Sequence, residues 1–531
     1  MLTLKVFGRF RLTDATGTDL TPKGVKTRGL VALLALSEGH VRRRAWLQDK
    51  LWSDRNNKNG ADSLRQALME LRRALGDQAH VLKADRETVG FDPAHFSLED
   101  NRPTYSGGAA QTEDIFTDLA IPDPEFEDWI RDQRQHLVAR SKPFQGLHRA
   151  PTVGNGRPAI VFRIEGDGSV RSAALASELV SLATASLLDF ADFQVYQEGR
   201  QSGDGNPVPK TGLLVRVGLT TEFNRIVCVL SIEHPLTGRA FWTRRIASVP
   251  GSPDDAFQFP VSAEIVEAVL MTLRRHGDDL DMPDGPAFFA ATAQSLTFRF
   301  DQQSLREADR YLQHAWAWEP RPQYLAQRAF VRLLAQFQHR TDAFLDDQVD
   351  VATLAKEAIH AAPDSPLILG VRAHIEYLSG GSPRTSLQLV ERAIDLDPLN
   401  AVNHAILSNT QLVLGQYTES RASSLKALML AGTAEHRAYV AFFCCMASAA
   451  VGDYRDAIDH AEAALVLRPH FRAPLRYLVA LYKHEGLAGP FNHYLQRLKE
   501  LEPDFHIRRF LDADYPVTTM RRIPLIEAIA S

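Results

Sequence analysis

The chain has 531 residues, 45% of them hydrophobic and 24% charged, and carries a net charge of −5. This composition excludes a disordered or fibrous chain, and the length is too great for one hydrophobic core, so about three or four domains are expected. The three cysteines, Cys228, Cys444 and Cys445, have no metal-ligand spacing, which favours buried thiols in a reducing compartment over a disulfide framework or a zinc site.

Neither a signal peptide nor a membrane span is predicted. Residues 1–10 alternate apolar and polar side chains, as a strand does, and the longest apolar run, near residues 30–36, is far shorter than a bilayer requires. The expected location is the cytoplasm, without a membrane partner.

Positive charge is concentrated near the N-terminus. Residues 23–73 hold twelve lysines and arginines against five acids, a local net charge of +7, which leaves −12 for the rest of the chain. A basic module on an acidic body is typical of a protein that binds phosphate locally, so nucleic acid is a candidate partner.

The first 100 residues predict strands, three helices and a hairpin, in that order. Alternation over residues 2–12 predicts a strand, and helices are predicted over 22–38, 44–52 and 57–76. Two short strands around a turn near Asp85 follow. Trp46 and Trp52 of the second helix are expected in the core.

The helix predicted over 57–76 has one apolar and one basic face. Its apolar residues recur at steps of three and four and are Ala61, Leu64, Leu68, Leu71 and Leu75. The other face carries Arg65, Gln66, Arg72 and Arg73. Such a helix can lie in a DNA major groove, and a solvated surface helix is the simpler alternative.

Four spaced motifs, FGRFRL, KTRGLVALLALSEG, LQDKLW and SLRQALMELRRALG, occur in this order. Together they resemble the winged-helix DNA-binding domain of OmpR/PhoB-type bacterial activators, in the N-terminal form found in SARP and HilA-like regulators. The resemblance covers nearly all of residues 1–100 and implies that the third helix reads DNA while the hairpin is the wing.

The resemblance also implies which residues contact DNA. They lie before the second helix, at the start and on the face of the third helix, and on the wing, and are Arg42, Arg43, Lys58, Asn59, Arg65, Gln66, Met69, Arg72, Arg73, Lys83 and Arg86. The residues at the helix start are expected near phosphate, and those of the wing near the minor groove or the backbone. Arg72 has an alternative role, a salt bridge that braces the fold.

Residues 101–157 are predicted to hold a coupling helix and a linker. The phrase FTDLAIPDPEFEDWIRDQR resembles the one that follows the winged helix in the same regulators, and a helix is predicted over 125–140. Two interpretations stay open: a rigid helix docked on the winged domain, or a simple spacer. Proline, glycine and serine mark residues 141–158 as a linker.

Residues 158–276 predict a strand, a helix, four strands and a final helix. This region is similar to the TolB N-terminal-like region found before TPR repeats in bacterial signalling proteins. It contains no combination of residues typical of catalysis, so the chain is not expected to be an enzyme, and no metal or cofactor is predicted.

Residues 285–510 predict helical repeats. Prolines that end helices occur at positions 320, 363, 398, 469 and 503, and Gly432-Thr433 occupies the position where a further proline is expected. Successive positions lie about 34 to 36 residues apart, except for the longer step from 320 to 363. This period is typical of tetratricopeptide (TPR) helix pairs, and the longer step predicts an insertion near residues 340–349. Polar residues on the first helices are candidate groove residues, with structural caps as the alternative: Asn403, Asn409, Tyr439, Arg476 and Tyr477.

The expected fold is multidomain α+β: a winged helix over 1–100, a coupling helix and linker over 101–157, a TolB-like α/β domain over 158–276 and an all-α TPR superhelix over 285–510. The expected function is sequence-specific DNA binding by a transcriptional regulator controlled through the TPR region. The alternative is a TPR interaction scaffold whose winged helix binds protein. The expected partners are promoter DNA, a protein or small-molecule effector, RNA polymerase and a second copy of the chain on DNA.

Overall fold

The computed structural model describes residues 2–6, 8–14, 16–37, 40–53, 55, 57–92, 95–99, 115–119, 121–127, 129–130, 157–198, 212–222, 225–249, 255–280, 285–347, 349–378 and 381–526. Residues 131–156, which include the end of the predicted coupling helix and most of the predicted linker, lie outside this part. The chain forms two compact units, Met1–Ala150 and Pro151–Ser531.

The described part of the first unit contains three α-helices of at least eight residues and two small sheets, with a further helical segment near residue 125. The elements in chain order are β1 (Leu2–Lys5), β2 (Arg11–Thr13), α1 (Val25–Ala35), β3 (Val41–Arg43), α2 (Arg44–Leu51), α3 (Asn57–Leu75), β4 (Leu82–Ala84), β5 (Thr88–Phe91) and β6 (Phe96–Glu99). In one sheet β1 lies between antiparallel β2 and parallel β6, and in the other β5 lies between antiparallel β3 and β4. A 3-10 helix, Gly76–Val81, joins α3 to the β4–β5 hairpin.

A carboxylate from α3 holds the start of α1. Glu70 accepts hydrogen bonds from the Gly24 amide and the Thr27 hydroxyl, each at 2.6 Å. A Cβ atom at position 24 would lie 2.5 Å from this carboxylate, so glycine leaves the space that the contact needs. The bond to the Gly24 amide satisfies a backbone N–H group at the start of α1 that has no partner within the helix. The two bonds together fix the rotation of α3 relative to α1.

The first unit does not end at residue 100, since the segment 115–130 adds to its core. Phe116, Ile121, Phe126 and Ile130 are buried in the same cluster as α1, and residues 124–127 and 129–130 are helical. The carboxylate of Asp123 accepts hydrogen bonds from the backbone amide and the hydroxyl of Ser53, two residues after the end of α2. For these residues the docked interpretation fits and a simple spacer does not.

Phe126→Ala is expected to lower the free energy of unfolding of the first unit by about 3–5 kcal/mol, because it leaves a cavity beside α1. Native-state hydrogen exchange of the α1 amides in the full chain measures this change. Glu127→Ala, an exposed neighbour, is the control and should leave exchange unaltered. Equal exchange in the two variants would show that the segment does not stabilise the unit.

The second unit begins with a five-stranded sheet and two long helices. The elements are β7 (Ala159–Gly166), α4 (Val170–Phe190), β8 (Gln194–Gln197), β9 (Leu213–Glu222), β10 (Arg225–Glu233), β11 (Ala240–Ala247) and α5 (Asp255–His276). The strand order is β11-β10-β9-β7-β8, with β7 parallel to both β8 and β9 and antiparallel pairing in the β9–β10–β11 meander. The element order along the chain is the one that the sequence pattern predicts.

Helices α4 and α5 are long and apolar enough in composition to cross a membrane, which the sequence analysis does not anticipate. Both are packed in the second unit, where Leu179, Leu187, Val261 and Val269 are buried in the same cluster as the sheet. Of the residues in the apolar stretch of each helix, 39% are buried in α4 and 61% in α5. Packing therefore accounts for the composition of α5 more fully than for that of α4.

In the described part of residues 285–531, twelve α-helices follow as six antiparallel pairs. They are α6 (Pro286–Thr297) with α7 (Gln302–Trp318), α8 (Pro322–His339) with α9 (Val351–Ala361), α10 (Pro366–Leu378) with α11 (Pro383–Leu396), α12 (Ala401–Val413) with α13 (Tyr417–Ala431), α14 (Arg437–Ala450) with α15 (Tyr454–Leu467), and α16 (Arg472–His484) with α17 (Ala488–Leu501). Successive pairs start 35 or 36 residues apart, with one step of 44. The longer step is the predicted insertion, residues 340–350.

Buried ion pairs hold the inserted loop against α7 and α8. Asp309 of α7 accepts hydrogen bonds from Arg328 at 3.0 Å and from Arg332 at 3.1 Å. Both arginines also contact Asp347 of the loop, and Arg332 donates to the Val349 carbonyl oxygen at 3.1 Å. Asp309 and Arg332 are each only 1% exposed, so these charges depend on one another for stabilisation.

The α/β region and the array share one continuous core. Asp189 at the end of α4 accepts hydrogen bonds from the Ser365 hydroxyl and the Leu367 amide, which begin α10. Arg274 of α5 pairs with Glu435 before α14 at 2.9 Å. The predicted boundary between residues 276 and 285 therefore falls inside a single packed body.

All three cysteines are free and buried, as predicted. Burial raises the pKa of the Cys228 and Cys444 thiols to about 12. A thiol in this state holds its proton at neutral pH and is a poor nucleophile, which argues against a redox-sensing role.

Candidate functional site

Helix α3 has a buried face and an exposed basic face. Leu64, Leu68, Leu71 and Leu75 are at most 2% exposed. The opposite face is exposed and consists of Arg65, Gln66, Met69, Arg72 and Arg73. Met69 is 62% exposed, an unusual degree for an apolar side chain, and a partner that covers it would gain apolar contact.

The charge of this face is only weakly compensated. Arg65 pairs with Asp62 at 2.9 Å, but both side chains are largely exposed and such a pair exchanges readily with other anions. Arg72 has no ion-pair partner among the described residues, so the predicted alternative of a bracing salt bridge does not apply there. Glu70, the acid in the middle of this helix, turns to α1 instead. Sequence reasoning does not assign that role.

The β4–β5 hairpin is held in shape by its own turn. The Asp85 carboxylate accepts hydrogen bonds from the Thr88 and Glu87 amides, each at 2.7 Å, and these bonds hold its pKa below the usual value. Arg44 at the start of α2 donates to the Asp85 carbonyl oxygen at 2.8 Å. Lys83 and Arg86 are exposed on this hairpin, and the Lys83 ammonium lies 3.8 Å from the Asp92 carboxylate. Contact of these two side chains with DNA stays a prediction.

The other residues predicted to contact DNA differ in how exposed their side chains are. Arg42 is half-buried over the ring of Trp46, 5.2 Å from its centroid, and thus helps to pack α2, whereas Arg43 is exposed. Asn59 is exposed, and the Lys58 side chain lies outside the described residues. Trp46 is only half-buried, contrary to the prediction of a core position, because it stacks against Arg42; Trp52 is buried as predicted.

The predicted groove residues of the array are buried instead of open to solvent. Asn409, Tyr439, Arg476 and Tyr477 line a cavity of about 90 Å³, and residues 516–519 form part of its wall. The C-terminal segment 504–526 thus lies against the first helices of the repeats. Asn403, also buried, lines a second cavity.

Arg476 is bound entirely within the chain, which corrects its prediction as a ligand-binding residue. It donates to Glu502 at 2.6 Å and to the carbonyl oxygens of Phe337 and Gln338 at 2.9 and 3.2 Å. The ring of Tyr515 lies 5.2 Å from its guanidinium carbon. Since Arg476 and Glu502 are both fully buried, each is the counter-ion that the other requires.

The C-terminal segment is anchored by polar contacts as well as packing. The hydroxyls of Thr519 and Tyr377 are 2.5 Å apart, and Thr519 donates to Asn409 at 3.3 Å. Phe510 and Met520 are fully buried. Asn409 therefore binds the chain's own segment, and the alternative of a structural role holds for it.

No family model and no curated protein matches this chain. Similar solved structures include PilW, a type IV pilus biogenesis factor, at 15% identity and a TM-score of 0.29, with 40% of this chain and 98% of that chain covered. The APC/C hetero-tetramer Cut9–Hcn1 has 12% identity and a TM-score of 0.35, with 51% of this chain and 56% of that chain covered. The P58(IPK) TPR domain has 14% identity and a TM-score of 0.16, covering 52% and 82%.

These TM-scores lie below 0.5, and the similarity carries no conclusion about function. The repeat architecture rests on the chain itself, which has six antiparallel helix pairs at steps of 35 or 36 residues with one insertion. Helix pairs at this period are the defining feature of TPR arrays. The chain therefore contains a TPR-type region.

Proposed function

We propose that the chain is a cytoplasmic, sequence-specific DNA-binding transcriptional regulator. The first unit binds promoter DNA, and the second receives a protein or small-molecule signal. The observation that carries this proposal is the exposed Arg/Gln face of α3, followed after one 3-10 helix by a hairpin with two exposed basic side chains. No catalytic activity or cofactor belongs to this proposal.

The arrangement supports a winged-helix mode of binding. Arg65, Gln66 and Arg73 are of the residue types that read base edges in the major groove, since arginine pairs with guanine and glutamine with adenine. In this proposal, Lys83 and Arg86 of the hairpin contact the DNA backbone or the minor groove. One module of this size contacts few bases, so binding of two copies to tandem half-sites is part of the proposal.

The full chain is expected to select a recurring sequence from a pool of random DNA duplexes and to release it as salt rises. About five phosphate contacts would lower the affinity by roughly 10²–10³-fold between 50 and 200 mM salt. Fluorescence anisotropy with the selected duplex, and with a shuffled duplex as control, measures this dependence. Failure to enrich any sequence, together with binding that is indifferent to salt, would overturn the proposal.

A TPR-type interaction scaffold is the second candidate, and the six helix pairs support it. In that case the exposed face of α3, with Met69 at its centre, contacts a protein. The same experiment separates the two functions, because a protein-binding first unit would enrich no DNA sequence while the repeats still bind a protein partner.

A further inference from the structure

A second cavity lies inside the second unit, where the α/β region meets the array. Its walls come from α4, α5 and the first helices of several repeat pairs, and its volume is about 130 Å³. A cavity of this size can hold a group about as large as a benzene ring, and such sites are common where structural regions meet.

The polar wall of this cavity is acidic. Asp189, Glu267 and Asp397 line it, and no lysine or arginine is among its described lining residues. Asp189 accepts a hydrogen bond from the Leu367 amide. Asp397 accepts hydrogen bonds from the Leu399 amide and the Ser186 hydroxyl. The Glu267 side chain is 24% exposed, and the nearest described basic group is the His436 ring, with its Nδ1 atom at 3.6 Å.

Glu267 therefore has no full counter-charge at the cavity wall. Burial, with the neighbouring charge of Glu435, raises the pKa of this carboxyl to about 7, even though Arg274 acts in the opposite direction. Glu264, one helical turn away, adds to the negative charge and is itself paired with Arg244. An added positive charge in the cavity would offset the cost of ionising Glu267.

Two further side chains lack hydrogen-bond partners within the part of the chain that the structure describes. His436 is 6% exposed, and neither of its ring nitrogens has a partner that meets hydrogen-bond geometry; the Nε2 atom of the Gln327 amide also has none. Both residues line the cavity. Buried polar groups of this kind cost about 1–3 kcal/mol each when unpaired, so a ligand or ordered water that binds them is favoured.

We propose that this cavity is a binding site for a small molecule that carries a protonated amine on an apolar body. The amine pairs with Glu267, and the ligand's polar groups reach His436 and Gln327. The apolar body packs on Phe298, Phe330 and the aliphatic side chains beside them. This assignment holds whether or not the first unit binds DNA, because every residue in it belongs to the second unit.

The test uses three probes of similar size, phenethylamine, 2-phenylethanol and 3-phenylpropionate, with the full chain at pH 8. Ligand-observed NMR is expected to show that the amine binds about ten-fold or more tightly than the alcohol, with the acid weakest. Glu267→Gln should remove this preference and leave the alcohol unchanged. Glu419→Gln, an exposed acid on α13, is the matched control and should bind as the unsubstituted chain does.

Val371→Phe, which fills the cavity from α10, should abolish binding of both the amine and the alcohol. Each variant is first checked by thermal melting, and only variants that melt cooperatively are titrated. Equal binding of the three probes, or unchanged binding of the amine by Glu267→Gln, would contradict the proposed pairing of the ligand amine with Glu267. Absence of amine binding at millimolar concentration would show that the cavity holds only water and would overturn the site.

Discussion

Asp309→Ala is expected to lower the free energy of unfolding of the second unit by about 3–5 kcal/mol, because it leaves two buried arginines without their shared carboxylate. Arg332 is almost fully enclosed and cannot turn to solvent. Asp347 remains as a partner, but it lies on the inserted loop and is itself positioned by these arginines. The substitution is therefore expected to release the loop and to weaken the packing of α7 against α8, which belong to neighbouring helix pairs.

Urea denaturation of the full chain, followed by far-ultraviolet circular dichroism, measures this loss. Asp346→Ala is a matched control one residue from Asp347, since Asp346 pairs with Arg310 on the surface, where both side chains are substantially exposed. Exposed pairs contribute about 0–1 kcal/mol, so the control should unfold nearly as the unsubstituted chain does. Similar midpoints for the two variants would show that the buried charges do not stabilise the array.

The double substitution Arg65→Ala with Arg73→Ala is expected to weaken binding to the selected DNA by about 30-fold or more, since each bidentate arginine contributes about 1–3 kcal/mol of discrimination. Both side chains are exposed, so the melting temperature should stay the same. Anisotropy titration and thermal melting of one preparation give both quantities.

The control variant for this experiment has the same change in net charge as the α3 double variant. Arg384→Ala with Arg455→Ala removes two exposed arginines from the helical array, and its affinity for DNA should match that of the unsubstituted chain. If the α3 variant also binds normally, α3 is not the reading helix. If both double variants weaken binding equally, overall charge and not the α3 face is responsible.

The two faces of α3 could be predicted from the sequence because helix periodicity depends only on local spacing. Leucines recur at three and four residues, and the basic residues fall between them. The same local logic predicts the strand and helix order of the α/β region and the period of the repeats. Whether the α3 face contacts DNA stays a prediction.

Contacts between distant residues could not be predicted in this way. Glu70 looks like an ordinary acid on a basic helix, and its partner Gly24 lies 46 residues earlier. Arg476 looks like a groove residue, but the fold brings Glu502, 26 residues later, against it. A polar side chain has the same appearance in a sequence whether it faces solvent or a buried partner, so only the packing distinguishes the two.

Segment 504–526 covers the surface formed by the first helices of the repeats, so it competes with any other ligand for that surface. Because the segment is covalently attached, it competes at an effective concentration on the order of millimolar, and a free peptide of moderate intrinsic affinity would rarely bind there. The apparent affinity of such a peptide would scale with the fraction of molecules in which the segment has left the surface. The rate at which a protease cuts within 504–526 would report that fraction, and with it the accessibility of Asn409 and Tyr439 to any partner.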